Sequence, residues 1–186
     1  MIDATGRALL KISLKTRALV RVSRSIEPGH VDARVAAISA RLVALAVVSD
    51  DIHPNGFEIY RLADVAKVKA APYTAFITRA LAARGEKLPR LGRVSLGSFR
   101  SVVADAAKRF ALVTVYREHL YPDECLIGRP QRLTATSMSF LTIDPTAEWD
   151  LAHPDTIRWR DVTRVDFGGA YEEALALVGG RPPRCA

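Results

Sequence analysis

Cysteine is scarce in this chain: Cys125 and Cys185 are the only two in 186 residues. That is too few for a disulfide framework, and their spacing is not that of a zinc site. Long apolar runs are missing as well. Arg7, Lys11, Lys15 and Arg17 interrupt the apolar residues near the N-terminus. No secretory core of about 7 to 15 apolar residues forms there, and no run approaches the ~18 residues that a membrane span requires. The expectation is a cytoplasmic protein with no membrane partner. Aromatic residues make up only 7% of the chain, few to serve both a core and a base-stacking surface.

Catalytic and metal-binding spacings are also absent. His30, His53, His119 and His153 form no HxH, HxxxH or HExxH pattern that would aim two imidazoles at one ion. His53 and His153 each precede a proline in an acid-rich turn, where Asp, Asn and Pro serve backbone geometry. Cys125 has Glu124 beside it, but neighbours in a strand point to opposite faces, so no base activates the thiol. It reads as a small apolar filler. Gly168-Gly169 and Gly179-Gly180 lack both the GxGxxG and the Walker spacing; Gly168-Gly169 reads as a helix-entry turn. No catalytic residue, metal ligand or cofactor is expected, and the chain reads as non-enzymatic.

What the chain does have is a globular balance, 49% apolar against 25% charged, and a charge asymmetry. Residues 1–90 carry 15 Lys and Arg against 8 Asp and Glu, whereas residues 91–186 carry 12 of each, so the whole excess of +7 lies in the first half. A basic half-molecule attracts phosphate backbones, anionic lipid or acidic protein, and also occurs as plain surface composition; bulk charge does not choose.

The halves also resemble each other. Leu19-Val20-Arg21-Val22 matches Leu112-Val113-Thr114-Val115, and the segment Arg61 to Val68 matches Trp159 to Val165 once Asp64-Val65 and Asp161-Val162 are aligned. Tyr73 and Tyr171 each open an Ala/Leu-rich helical stretch. The separation drifts from 93 to 97 residues, as short loop insertions would produce. Ser98 is a natural N-cap for a helix carrying Phe99, Val102, Val103, Ala106 and Phe110 at helical spacing; Leu9, Leu10 and Leu14 mark its counterpart. Strands are expected at 18–22, 30–38, 42–49, 57–62 and 65–69 in one copy, and at 111–116, 124–129, 133–143, 156–159 and 162–167 in the other. Asn55-Gly56 marks a reverse turn.

This order of elements, with Phe57 to Val65 closing one copy and Ile157 to Val165 the other, resembles the Sm-like branch of SH3-like barrels, including a group of bacterial proteins with a similar His, turn, Gly-Phe, Arg-Leu, Asp-Val ending. The resemblance implies a mainly β fold with short helices (α+β): two tandem five-stranded Sm-like barrels, each preceded by a short helix and followed by a helix. Their spans would be 1–90 (basic) and 91–186 (neutral), with a flexible C-terminal tail from about 179. RNA-binding Sm proteins carry an acidic residue and an Asn at the turn between their second and third strands. Here the corresponding turns read Ser39-Ala40-Arg41 and Pro130-Gln131-Arg132, with neither.

The expected partner is RNA or another polyanion. It would be held by Arg17, Arg21, Arg24, Lys67 and Lys69 of the first copy and by Arg84, Lys87, Arg90 and Arg93 of the segment between copies. The alternative is a protein-interaction module that pairs with itself or another protein through barrel strand edges.

Overall fold

The computed structural model describes residues 2–182. The chain divides into two compact units, Met1–Gly92 and Arg93–Ala186. The first contains α1 (Ala4–Thr16), β1 (Val20–Arg24), β2 (Val31–Ile38), β3 (Leu42–Val48), β4 (Pro54–Arg61), β5 (Val65–Ala70) and α2 (Thr74–Ala83). The second repeats the order with α3 (Phe99–Ala106), β6 (Val113–Tyr116), β7 (Cys125–Leu133), β8 (Ser137–Thr142), β9 (Asp155–Arg158), β10 (Arg164–Phe167) and α4 (Ala170–Gly179).

Local chemistry starts and stops these elements. The Asp3 carboxylate accepts the Gly6 N–H at 2.7 Å and caps α1; the helix ends where Arg17 turns left-handed, at φ 63°. Ser98 and Ser101 form a capping box at α3. The β2–β3 reversal is tied by Ser39, whose hydroxyl oxygen accepts the N–H groups of Arg41 and Leu42. Thr134 plays the same part between β7 and β8, accepting from Thr136 and Ser137. The second turn is therefore at 134–136, and Pro130-Gln131-Arg132 lies inside β7. A register shift there pairs Pro130 with Phe140 and Arg132 with Ser139. A similar displacement occurs after β3: Asn55 and Gly56 lie in β4, and the reversal is made at 49–53 with Ile52 left-handed.

Neither unit is the closed five-stranded barrel that the Sm-like resemblance implies. The described strand pairings are antiparallel. The hydrogen-bonded order is β5-β1-β2-β3-β4 in one unit and β10-β6-β7-β8-β9 in the other, open sheet in both cases. Among the described residues no pairing joins β4 to β5 or β9 to β10. A helix does the work that closure would have done. In the first unit α1 packs on β2 and β5, setting Ile2 and Leu10 against Val20, Val22, Ala33, Val35, Leu45 and Val65. In the second, α3 packs on β7 and β10. A helix over the apolar face buries it without the outer strands being joined.

Ser13, fully buried on α1, links roof to sheet: its hydroxyl donates to the Ala18 carbonyl at 2.7 Å and accepts the Val35 N–H at 3.0 Å. The expected tail begins where α4 ends at Gly179, and its last four residues, with Cys185, lie outside the described residues.

Two substitutions test this packing by urea denaturation. Ser13→Ala leaves a buried N–H and a carbonyl unbonded and is expected to cost about 1–2 kcal/mol. Gly128→Ala puts a Cβ 1.9 Å from the Leu141 carbonyl oxygen on β8 and is expected to cost about 3 kcal/mol, as severe overpacking does. An unchanged midpoint for Gly128→Ala would refute the close β7–β8 approach.

Candidate functional site

Period-two alternation creates the basic surface of the first unit. On β1, Val20 and Val22 turn into the core, so Arg21 and Ser23 must face outward. On β5, Val68 is buried while Lys67 and Lys69 are exposed. The antiparallel register sets Arg21 opposite Lys69 and Ser23 opposite Lys67, and residues directly opposite share a face. On the other side Arg21 faces Asp32 of β2. Its Nε and Nη2 each donate to the Asp32 carboxylate at 2.8 Å; this bonding raises the guanidinium pKa against the lowering effect of desolvation. Arg21 is thus a neutralised charge, whereas Lys67 and Lys69 have no acidic partner among the described residues.

Beside this row lies an open groove of about 660 Å³ between α2 and the ends of β1–β3, lined by Arg21, His30, Asp32, Ser49, Asp50, Tyr73 and Phe76. Tyr73 is 79% and Phe76 59% exposed. The cause is helical spacing: Ile77 and Leu81 occupy the buried stripe of α2 against Leu19, Val48 and Ala71, and Phe76 falls outside it. Tyr73 precedes the helix in a left-handed conformation, φ 57°, without a side-chain capping bond. A bulky residue there costs about 1–2 kcal/mol, so the exposed ring is held at a local expense. Its hydroxyl is close enough to Arg21 to act electrostatically on it.

A second basic grouping forms around Arg34 on β2. Its Nη2 donates to the carbonyls of Pro89 at 2.6 Å and Leu88 at 3.3 Å, holding the segment after α2 against the sheet. Burial depresses the Arg34 pKa, and the nearby positive charges of Arg17 and Arg90 depress it further. Like charges gathered without an acid among them raise the local potential for an anion.

The expected binding residues therefore divide. Arg21, Lys67 and Lys69 come together on the outward face, and Arg17 and Arg90 meet around Arg34. Arg24 is 7% exposed, stacked 4.5 Å above the Tyr60 ring and paired with Glu27 at 2.7 Å. Arg84 donates to the carbonyls of Ile52 and Asp51 and clamps the β3–β4 turn. Lys87 is exposed, and Arg93, also exposed, belongs to the second unit.

His53, His153 and the candidate nucleophile have local explanations, and His30 and His119 are exposed. The Nδ1 of His53 meets Glu86 at 2.9 Å, a second tie between the β3–β4 turn and the end of α2. His153 is exposed beside Asp150. Among the described residues no group of three His, Cys, Asp or Glu could hold a metal ion. Cys125 is exposed rather than packed as a filler, and its thiol is pushed up by desolvation and by Asp166 and Glu172, away from the reactive thiolate. Gly168, at φ 71°, has the Phe110 ring where a Cβ would stand, and Gly169 is the N-cap of α4. Of the outermost strands, β5 carries the exposed Lys67 and Lys69, and β9 is four residues long.

Comparison with protein-family profiles, curated proteins and solved structures finds no match to this chain. No helix among the described residues is long and apolar enough to cross a membrane.

Sequence reasoning missed Phe76 and Arg34. The signal for Phe76 was available, since a stripe of Ile77 and Leu81 leaves position 76 outside. Nothing local announces a guanidinium that bonds carbonyls 54 and 55 residues away.

If the left-handed Tyr73 is strained, Tyr73→Asn, which suits that conformation, is expected to leave the thermal midpoint unchanged or raise stability by up to about 1 kcal/mol. A loss of more than that would show the ring to be a structural element instead.

Proposed function

We propose that the first unit is a non-enzymatic binding module for a single-stranded polynucleotide, with RNA as the first ligand to test. The observation that carries this reading is the exposed Tyr73–Phe76 pair lying beside cations without acidic partners on the same unit. Single strands are held by aromatic platforms that stack bases and by positive charge that follows the backbone. Tyr73 and Phe76 supply the rings. Lys67 and Lys69 on the outward face, with Arg17 and Arg90 around Arg34, supply the charge. Arg21 fixes the geometry between them through Asp32.

The two contributions separate by salt. Each phosphate contact on a single strand contributes about −0.7 to the slope of log K against log salt. Four contacts by Arg17, Lys67, Lys69 and Arg90 thus give a slope near −3. In a fluorescence-anisotropy titration with oligouridine, Lys67→Glu with Lys69→Glu is expected to flatten the slope by about 1.4 and weaken binding. Tyr73→Ala with Phe76→Ala is expected to cost about 1–3 kcal/mol per stacked base while leaving the slope in place. Failure to retain either single-stranded RNA or DNA at low salt would end the proposal.

A further inference from the structure

The second unit is neutral overall, yet one of its surfaces is basic and rich in hydroxyls. Met138, Phe140 and Ile157 point inward and are fully buried, so the pleat sends Ser137, Ser139, Thr156 and Arg158 outward. Register places Arg132 of β7 opposite Ser139 of β8, Ser139 opposite Thr156 of β9, and Ser137 opposite Arg158. Arg132, Thr156 and Arg158 are exposed. Neither Arg132 nor Arg158 has an acidic partner among the described residues. Asp155, the nearest acid on β9, pairs across from Phe140 and so takes the inward side.

The first unit shows that this composition is not dictated by the sheet. Its register runs Ala37–Ala44–Ile59 and Leu42–Arg61 in the same places, counted from the β2–β3 turn. There Leu42, Ala44 and Ile59 are buried, as is every residue of β3. At the corresponding row the second unit has Arg132, Ser139 and Thr156. An apolar row in one unit is a cationic, hydroxyl-bearing row in the other.

Next to it Trp159 donates its indole N–H to the Thr134 carbonyl at 3.1 Å, which fixes the ring in the wall of an open groove of about 540 Å³ also lined by Thr136, Ser137, Thr156 and Arg158. Arg132 and Arg158 stand two strands and one pleat repeat apart, roughly 12 Å between Cα atoms from ordinary sheet spacings, with the three hydroxyls between them.

We propose that the outward face of β7–β8–β9 is a second phosphodiester-binding surface, on which Arg132 and Arg158 each take a backbone phosphate and the intervening Ser and Thr hydroxyls donate to phosphate oxygens. The occupant is a single-stranded polynucleotide: guanidinium and hydroxyl donors match its repeating oxyanions. The inference rests on the polynucleotide reading of this protein and extends it to residues outside the first unit.

The test uses the full chain, oligouridine and a salt series. Arg132→Gln with Arg158→Gln is expected to flatten the log K against log salt slope by about 1.4, the share of two contacts, with an unchanged thermal midpoint. Arg132→Lys with Arg158→Lys should restore most of the slope. A parental slope and affinity in the Gln pair, while Lys67→Glu with Lys69→Glu still weakens binding, overturns this surface and leaves the first-unit reading standing. Loss in the Gln pair with no effect of either the lysine pair or the Tyr73 and Phe76 pair supports this surface and removes the first-unit site. Displacement of the RNA by polyglutamate as effective as by unlabelled oligouridine, at equal ionic strength, overturns the polynucleotide assignment in favour of an acidic protein.

Discussion

In both units one face of a bent antiparallel sheet is apolar and must be covered, and a helix covers it. Leu10 of α1 and Ile2 just before it rest on Val20, Val22, Ala33 and Val35, and Ser13 bonds helix to strand. Because successive strand residues alternate, choosing which residues meet that helix decides which residues meet everything else. A slip of one residue in β1 would carry Arg21 into the core and Val20 out. The position of the cations is therefore as firmly held as the position of the valines, and for the same reason.

Charge in the first unit is spent in two ways. Arg24 and Arg84 are consumed by structure, one stacked on Tyr60 and paired with Glu27, the other bonded to turn carbonyls. Arg21 is neutralised by Asp32. Lys67, Lys69, Arg17 and Arg90 are among the cations left exposed, with Arg7, Lys11, Lys15, Arg41, Arg79 and Lys87. The net excess of the half-chain therefore says nothing of which cations are taken up by the fold, and hides their arrangement. Surface pairing of the Arg21–Asp32 kind adds little stability by itself; its larger effect is to hold a planar guanidinium in a fixed orientation beside Tyr73.

Much of the fold was legible in the sequence. The apolar alternation of Leu19 to Val22, the Ser98 cap and the Asp64-Val65 and Asp161-Val162 matches mark elements that the structure contains at nearly those places. What local pattern could not reveal was whether the outer strands join. Closure depends on bends accumulated at register shifts such as Ser23/Arg24, Val35/Ala37 and Ala46/Val48, and on a helix already lying over the apolar face. The misplaced turns have a similar origin. Asn55-Gly56 and Pro130-Gln131 are good turn dipeptides, but Ser49 and Thr134 tie the backbone elsewhere by bonds to their own neighbours. Of the candidate site, the strand cations were readable from alternation. The Arg34 grouping was not, because it depends on carbonyls brought in from residues 88 and 89.

The comparison of the two units separates what the architecture requires from what it merely permits. Both keep the roofing helix, the strand order, the hydroxyl-tied turn after the second strand and the register shift just before it. These are the features without which the sheet could not cover its apolar side. One row is packed differently in the two units: Ala44 and Ile59 are buried in the first, whereas Ala37, Ala44 and Ile59 give way to Arg132, Ser139 and exposed Thr156 in the second. The arginine falls at the half-buried position of that row, Ala37, and not at buried Ala44 or Ile59, since an unpaired buried guanidinium would cost several kcal/mol. The divergence puts one cation and two hydroxyls in place of three apolar side chains, while the neighbouring row keeps an arginine in both units, Arg61 and Arg158.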